Sequence, residues 1–253
     1  MKKVLLLLLC INLSVFVATA QSNILFGLKG GIGIPNLTTG SGNSNPLADG
    51  WSSRLGPYFG LVGQYDLYKR WSLQVELNYA SQGGKKDGVQ AIPSSEFASM
   101  IPTGYPVPAY LYANFNTVSR LNYIELPVMA KYTLPLNKKF DVFISAGPYV
   151  GFLFNAKNIS TGKSNVYLDE KATEQITTQA VSFDTTQDIK SDLKQFNVGI
   201  QGGVGISMKL KKGILFFTAG GNYGFIPIQK DKSNGQNNTG AATLIVGYLV
   251  HLK

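Results

Sequence analysis

The chain has 253 residues, 44% hydrophobic and 15% charged, with a formal charge of +9, one cysteine and one histidine. A lone Cys10 excludes a disulfide framework, and with a lone His251 it leaves no Cys/His cluster for a metal. The basic residues are scattered through short turns and form no single patch or helix, which argues against nucleic acid as a partner.

The chain opens MKKVLLLLLCINLSVFVATAQ, with two lysines, a short apolar run and a small-x-small ending. This reads as a secretory signal over residues 1–20, cleaved after Ala20, ahead of one domain at 21–253. Its removal takes away Cys10 and leaves 21 basic against 14 acidic residues, a charge of +7. No later segment reaches the ~20 apolar residues of a spanning helix, so any membrane insertion must be as a barrel.

Two-residue alternation then recurs, and it predicts eight strands at about 24–34, 53–65, 71–81, 119–133, 140–153, 194–208, 214–225 and 241–252. The third is the clearest: in WSLQVELNYASQ, Trp71, Leu73, Val75, Leu77 and Tyr79 alternate with Ser72, Gln74, Glu76 and Asn78. Short basic turns at 66–70, 135–139 and 209–213 follow the second, fourth and sixth strands, and long polar loops follow the others. This is the asymmetry of a barrel in the bacterial outer membrane, with turns in the periplasm and loops outside. The predicted fold is therefore all-β, an eight-stranded antiparallel up-and-down transmembrane β-barrel.

The apolar faces point to lipid, because the opposite faces carry Gly, Ser, Asn, Gln and charge, which a soluble barrel would not enclose. Trp71, Tyr132 and Phe140 fall at turn-side strand ends, and Tyr79 and Phe152 at loop-side ends, as interfacial girdles require. Pro57, Pro127 and Pro148 fall inside strands without a free edge, and local bulges are predicted there.

The stretches LNYIELPVMAKY (121–132), AGPYVGFLF (146–154) and FNVGIQGGVGISM (196–208) together resemble the PorT-like outer-membrane β-barrel family of Bacteroidetes. The resemblance covers nearly the whole mature chain and implies an eight-stranded barrel in the outer membrane. Its name-giving member is tied to protein secretion and maturation, a role that general barrel motifs do not carry across.

Inside the barrel, Glu76 and Glu125 face inward from adjacent strands, and paired carboxylates can do acid–base work. An eight-stranded lumen is filled by its own side chains, so the favoured reading is an interior polar network of Lys29, Glu76, Glu125 and Lys131, with the lysines as counter-ions. His251 falls at the periplasmic end, away from outer-leaflet lipid chemistry. The strings GLKGGIG and GIQGGVG precede no helix and mark no nucleotide site; their glycines leave room in the lumen. No cofactor is called for.

The second long loop offers Tyr105, Tyr110, Tyr112 and Phe115 as a contact surface, or as packing over the barrel mouth. The third gathers Asp169, Glu170, Glu174, Asp184, Asp188 and Asp192, either as a solvated loop or as a weak cation site bridging to lipopolysaccharide. Alternation in ITTQAVSF (176–183) suggests that this hairpin extends beyond the membrane. The functional expectation is a non-enzymatic barrel presenting loops for structural or binding purposes. Its partners are outer-membrane lipid and lipopolysaccharide, and other envelope or secreted proteins. The alternatives are a component of an export or surface-assembly system, a lipid-modifying enzyme, and a soluble lipocalin-like binder.

Overall fold

In the computed structural model, residues 24–39, 45–97 and 108–252 are described; the signal segment and Tyr105 lie outside them. Alternation carries the chain into eight long strands: β1 (Ile24–Thr39), β2 (Gly56–Tyr68), β3 (Trp71–Lys86), β4 (Asn116–Pro135), β5 (Phe140–Thr161), β6 (Phe196–Leu210), β7 (Gly213–Gly224) and β8 (Asn237–His251). Each pairs antiparallel with its neighbour in sequence, and β8 returns to pair with β1, from Leu25 opposite His251 to Thr39 opposite Asn237. The ring is closed, so the sheet has no edge and the strand ladders satisfy the backbone groups that lipid cannot.

All eight predicted strands are present, with turn-end bounds within three residues of those predicted. At the loop end β1, β3, β4, β5 and β8 run further than predicted, and the β4–β5 ladder reaches Asn116 opposite Thr161. Its turns are tight for local reasons. Lys69 takes the left-handed conformation (φ 54°) between β2 and β3, and the Asn137 side chain accepts the N–H groups of Lys139 and Phe140, both at 2.9 Å, between β4 and β5.

The faces divide as alternation predicts. Trp71, Leu73, Val75 and Leu77 are exposed outward, and Ser72, Gln74, Glu76 and Asn78 are buried in the lumen. Aromatic pairs mark two girdles: Trp71 against Tyr132 (4.9 Å between centroids) at the turn end, and Phe59 stacked on Tyr79 (4.8 Å) with Phe152 against Phe196 (5.5 Å) at the loop end.

The inward face is less uniformly polar than alternation alone suggests. Phe143 and Phe216 meet edge to face (6.5 Å) in a cluster with Leu25, Val62, Ile245 and Leu249. A β-carbon at Gly205 or Gly247 would run into the Phe143 or Phe216 ring respectively, so these two positions are bare because the rings lie across them.

The predicted bulges at the prolines do not form. Pro57 pairs regularly with Ile32, and the β4–β5 ladder passes from Pro127 opposite Tyr149 to Ala130 opposite Ala146 with its register unchanged. A missing N–H removes one bond without requiring an extra residue. The register shifts fall instead at Asn122/Tyr123 and Asp66/Tyr68.

At the loop end a small cap is built from Val89–Pro93, Tyr110–Asn114 and Val166–Tyr167, paired in that order. Thr185–Asp188 adds to the outer end of β5, so the hairpin does extend beyond the membrane band. Only Val181–Ser182 of the 176–183 segment pairs as strand, against Lys163–Ser164.

A charge on the outward face between the girdles must be placed in hydrocarbon. Val75→Arg should therefore cost about 2–4 kcal/mol of folding free energy, read by urea titration in phospholipid, while Ser53→Arg above the girdle should cost far less.

Candidate functional site

Inward positions of β1, β3, β4, β6 and β7 converge in the lumen. The Lys29 ammonium pairs with the Glu76 carboxylate, and both side chains are only 2% exposed. Glu76 also accepts from the side-chain amides of Gln74 (2.5 Å), Asn78 (2.8 Å) and Gln201 (3.2 Å). Tyr58 ties these together, its hydroxyl accepting from Asn78 (2.8 Å) and donating to Gln201 (3.2 Å). A buried charge is tolerable when it is paired and its remaining lone pairs are occupied, and Glu76 meets both conditions.

Glu125 stands opposite Asn78 in the β3–β4 ladder, yet it pairs with no lysine. Its carboxylate accepts from Gln82 (3.0 Å) and Asn222 (3.3 Å). Lys131, expected as a second counter-ion, lies opposite Ser72, six residues toward the turn end from the Asn78 pair. Register therefore directs it away from both glutamates: it donates to Gln64 (2.9 Å) and sits over the Phe143 ring, 4.1 Å from the centroid. Amides and a cation–π contact do the work that a second ion pair was expected to do. The cavity beside Lys29 and Glu76 is about 30 Å³, enough for one or two waters and too small for a substrate.

Toward the loops, Leu37, Leu121, Tyr123, Leu153, Leu193 and Ile228 form an apolar layer across the barrel mouth. Between this layer and the cap lies a vestibule of about 440 Å³, whose walls include Trp51, Lys86, Gln90, Phe115, Asn158 and Phe183. The buried Lys86 ammonium donates to the Leu47 carbonyl (2.9 Å) and stands over the Trp51 ring at 4.9 Å. Burial pushes its pKa down to about 8, with Asp49 opposing the shift.

The loop aromatics divide. Phe115 is buried and stacks on Phe183 (4.3 Å, 7° between planes), so it belongs to the cap's core and not to a contact surface. Tyr110 and Tyr112 are half-buried on the middle strand of the cap sheet, with Leu111 and Ala113 facing into the cap core. The third-loop acids fasten their own turns: Asp169 accepts from the Thr173 and Glu174 N–H groups (2.9 and 2.6 Å), and Asp184 accepts from Gly162 N–H (2.9 Å). These bonds hold both carboxyls below the usual carboxylate range. Among the described residues, no group of three His, Cys, Asp or Glu side chains is placed to hold a metal ion. His251 is exposed at the turn end of β8, opposite Leu25.

Sequence reasoning passed over Tyr58, Gln201, Asn222, Trp51 and Lys86. The first three are inward by parity alone; Trp51 and Lys86 meet only through the fold of the first loop against β3.

Residues 19–230 match the family described as outer membrane protein beta-barrel domain. No curated protein matches the chain. Among solved structures, similar chains include Ail of Yersinia pestis (11% identity, TM-score 0.37, covering 90% of this chain and 99% of that one) and Neisserial surface protein A (11%, 0.39, 89% and 96%). The outer membrane protease OmpT of Escherichia coli is another (10%, 0.43, 92% and 97%). Likenesses at these scores carry no argument about the role of this chain.

Lys29→Met leaves Glu76 without its counter-charge and should destabilise the barrel by about 3–5 kcal/mol, whereas Lys29→Met with Glu76→Leu should recover most of that loss in urea titrations. Lys86 should titrate near 8 by side-chain nitrogen NMR. Because its folded pKa lies below the unfolded value of 10.5, cap stability should rise with pH between about 8 and 10.5. A midpoint near 10.5 would mean that the ammonium is hydrated.

Proposed function

The chain belongs to the outer membrane protein beta-barrel domain family, and on that premise we propose that it is a closed, non-enzymatic barrel that anchors a folded extracellular cap for binding. The short basic turns face the periplasm, and the cap and its vestibule face outward. The observation that carries this reading is the contrast between the two cavities: about 30 Å³ in the lumen against about 440 Å³ under the cap. Solutes of porin size have no path through the barrel, whereas a small molecule or a partner's side chain has a preformed seat at its mouth.

The same contrast weighs against acid–base hydrolysis at Glu76 and Glu125, since a substrate cannot reach them. We read the chain as PorT-like and of Bacteroidetes type, exported through a cleaved signal. The motifs at 121–132, 146–154 and 196–208 support that reading. A role in export or surface assembly is the second reading, favoured by the half-buried Tyr110 and Tyr112 on the cap sheet.

Planar bilayers containing the purified barrel should show no conductance of porin magnitude; steady ohmic channels would overturn closure. Crosslinked pull-downs from native outer membranes, compared with a variant lacking residues 108–115, separate the two readings. Envelope or secreted proteins lost with the deletion would favour assembly, and their absence from both samples would favour an extracellular ligand.

A further inference from the structure

The outward face between the loop-end girdle and the cap carries an unusual charge row. Arg120 of β4 lies directly opposite Lys157 of β5, and Lys85 of β3 lies opposite Val118, one outward position from Arg120. All three side chains are exposed, and none makes a side-chain hydrogen bond or ion pair among the described residues. Of the nearby acids, Asp87 follows Lys85 by two residues, and Asp188 stands opposite Lys157 on its other flank, its carboxylate accepting the Lys190 N–H (2.9 Å).

Behind the row, the Arg54 guanidinium is fixed by the carbonyls of Ser119 (3.1 Å), Leu55 (3.0 Å) and Gln82 (2.5 Å) and by the Ser81 hydroxyl (2.8 Å), with no carboxylate partner. Burial, and secondarily the adjacent Arg120, lower its pKa to about 10. The outer ends of β1, β7 and β8 instead present Asn36, Thr38, Tyr223 and Gly240.

Like charges set directly opposite across two strands repel and destabilise the pair, so the Arg120–Lys157 juxtaposition is poorly explained as a folding device. Its depth explains it better. Arg120 is four residues beyond Ile124, which shares the girdle rung with Tyr79 and Phe152. At ~3.4 Å per residue and a tilt of ~40°, that places it ~10 Å above the girdle, at headgroup level.

We propose that Lys85, Arg120 and Lys157 form a docking surface for the phosphate groups of lipopolysaccharide in the outer leaflet. Arg offers a planar fork to phosphate oxygens, and the two lysines add point charges on stems long enough to follow a headgroup. The acyl chains of the same molecule would lie below, against Tyr79, Phe152 and Phe154. The proposal rests on the loop-end-outward orientation given above and is independent of lumen closure.

The test titrates the full mature barrel in detergent micelles with phosphorylated lipid A, dephosphorylated lipid A or phosphatidylglycerol. Wild type should bind phosphorylated lipid A at least tenfold more tightly than either of the others. Lys85→Gln/Arg120→Gln/Lys157→Gln should lose that preference and keep its heat-modifiable fold, whereas Lys138→Gln/Lys139→Gln at a turn should keep it. Arg120→Gln alone serves if the triple variant fails to fold, with a loss of at least threefold expected.

An unchanged triple variant, or equal binding of dephosphorylated lipid A, would overturn the proposal. Equal binding of phosphatidylglycerol would also overturn it, by showing a general anion surface. Maleimide labelling of Lys171→Cys on intact cells reads the orientation separately, so a reversed barrel is distinguishable from a failed site.

Discussion

The structure depends on one constraint: in hydrocarbon each backbone N–H and C=O must find a partner within the protein, so the sheet must close on itself. Closure at eight strands then fixes how wide the lumen can be, and the inward residue of each alternating pair becomes core whatever its polarity. The Lys29–Glu76 pair follows from this. Two charges are tolerated inside because β3 itself brings Gln74 and Asn78, and β6 across the lumen brings Gln201, to the same carboxylate. Without those amides the desolvation of Glu76 would outweigh the attraction of one ammonium.

The same constraint explains why the outward and inward faces read so differently. Lipid accepts a nearly interchangeable set of apolar side chains, while the lumen requires pieces that fit one another. Phe143 and Phe216 occupy the space left by Gly205 and Gly247, and Tyr149 similarly lies against Gly199. Exchanging a glycine and a ring between strands would keep the composition and lose the fit.

These differences set what the sequence made legible. Strand number, pairing order, girdles and the faces of Trp71 to Asn78 follow from a two-residue period, because lipid and lumen impose opposite preferences on adjacent residues. Partner identity does not follow from period. Parity puts both Lys29 and Lys131 in the lumen, but only register shows that Lys131 faces Ser72 and Gln64 while Lys29 reaches Glu76. Phe143, Ile245 and Leu249 interrupt the polar inward pattern and pass unnoticed until their neighbours are known. The prolines misled in the other direction, since the loss of a donor is a smaller perturbation than a shift of register. Phe115 sits in an aromatic-rich loop that reads as surface, yet its partner Phe183 is 68 positions away in another loop.

A closed barrel transfers any role in recognition to its two wet rims and to the belt that meets lipid headgroups. The acids of the cap are largely committed to its own turns, as with Asp169, Asp184 and Asp188, whereas several outward cations near the headgroup level are not committed to anything in the chain. That asymmetry is informative because folding alone supplies no reason for it: a solvated rim gains little from like charges held opposite each other. On the docking reading proposed above, the cations left over by the fold meet the phosphate of the outer leaflet, a matching charge at a matching depth.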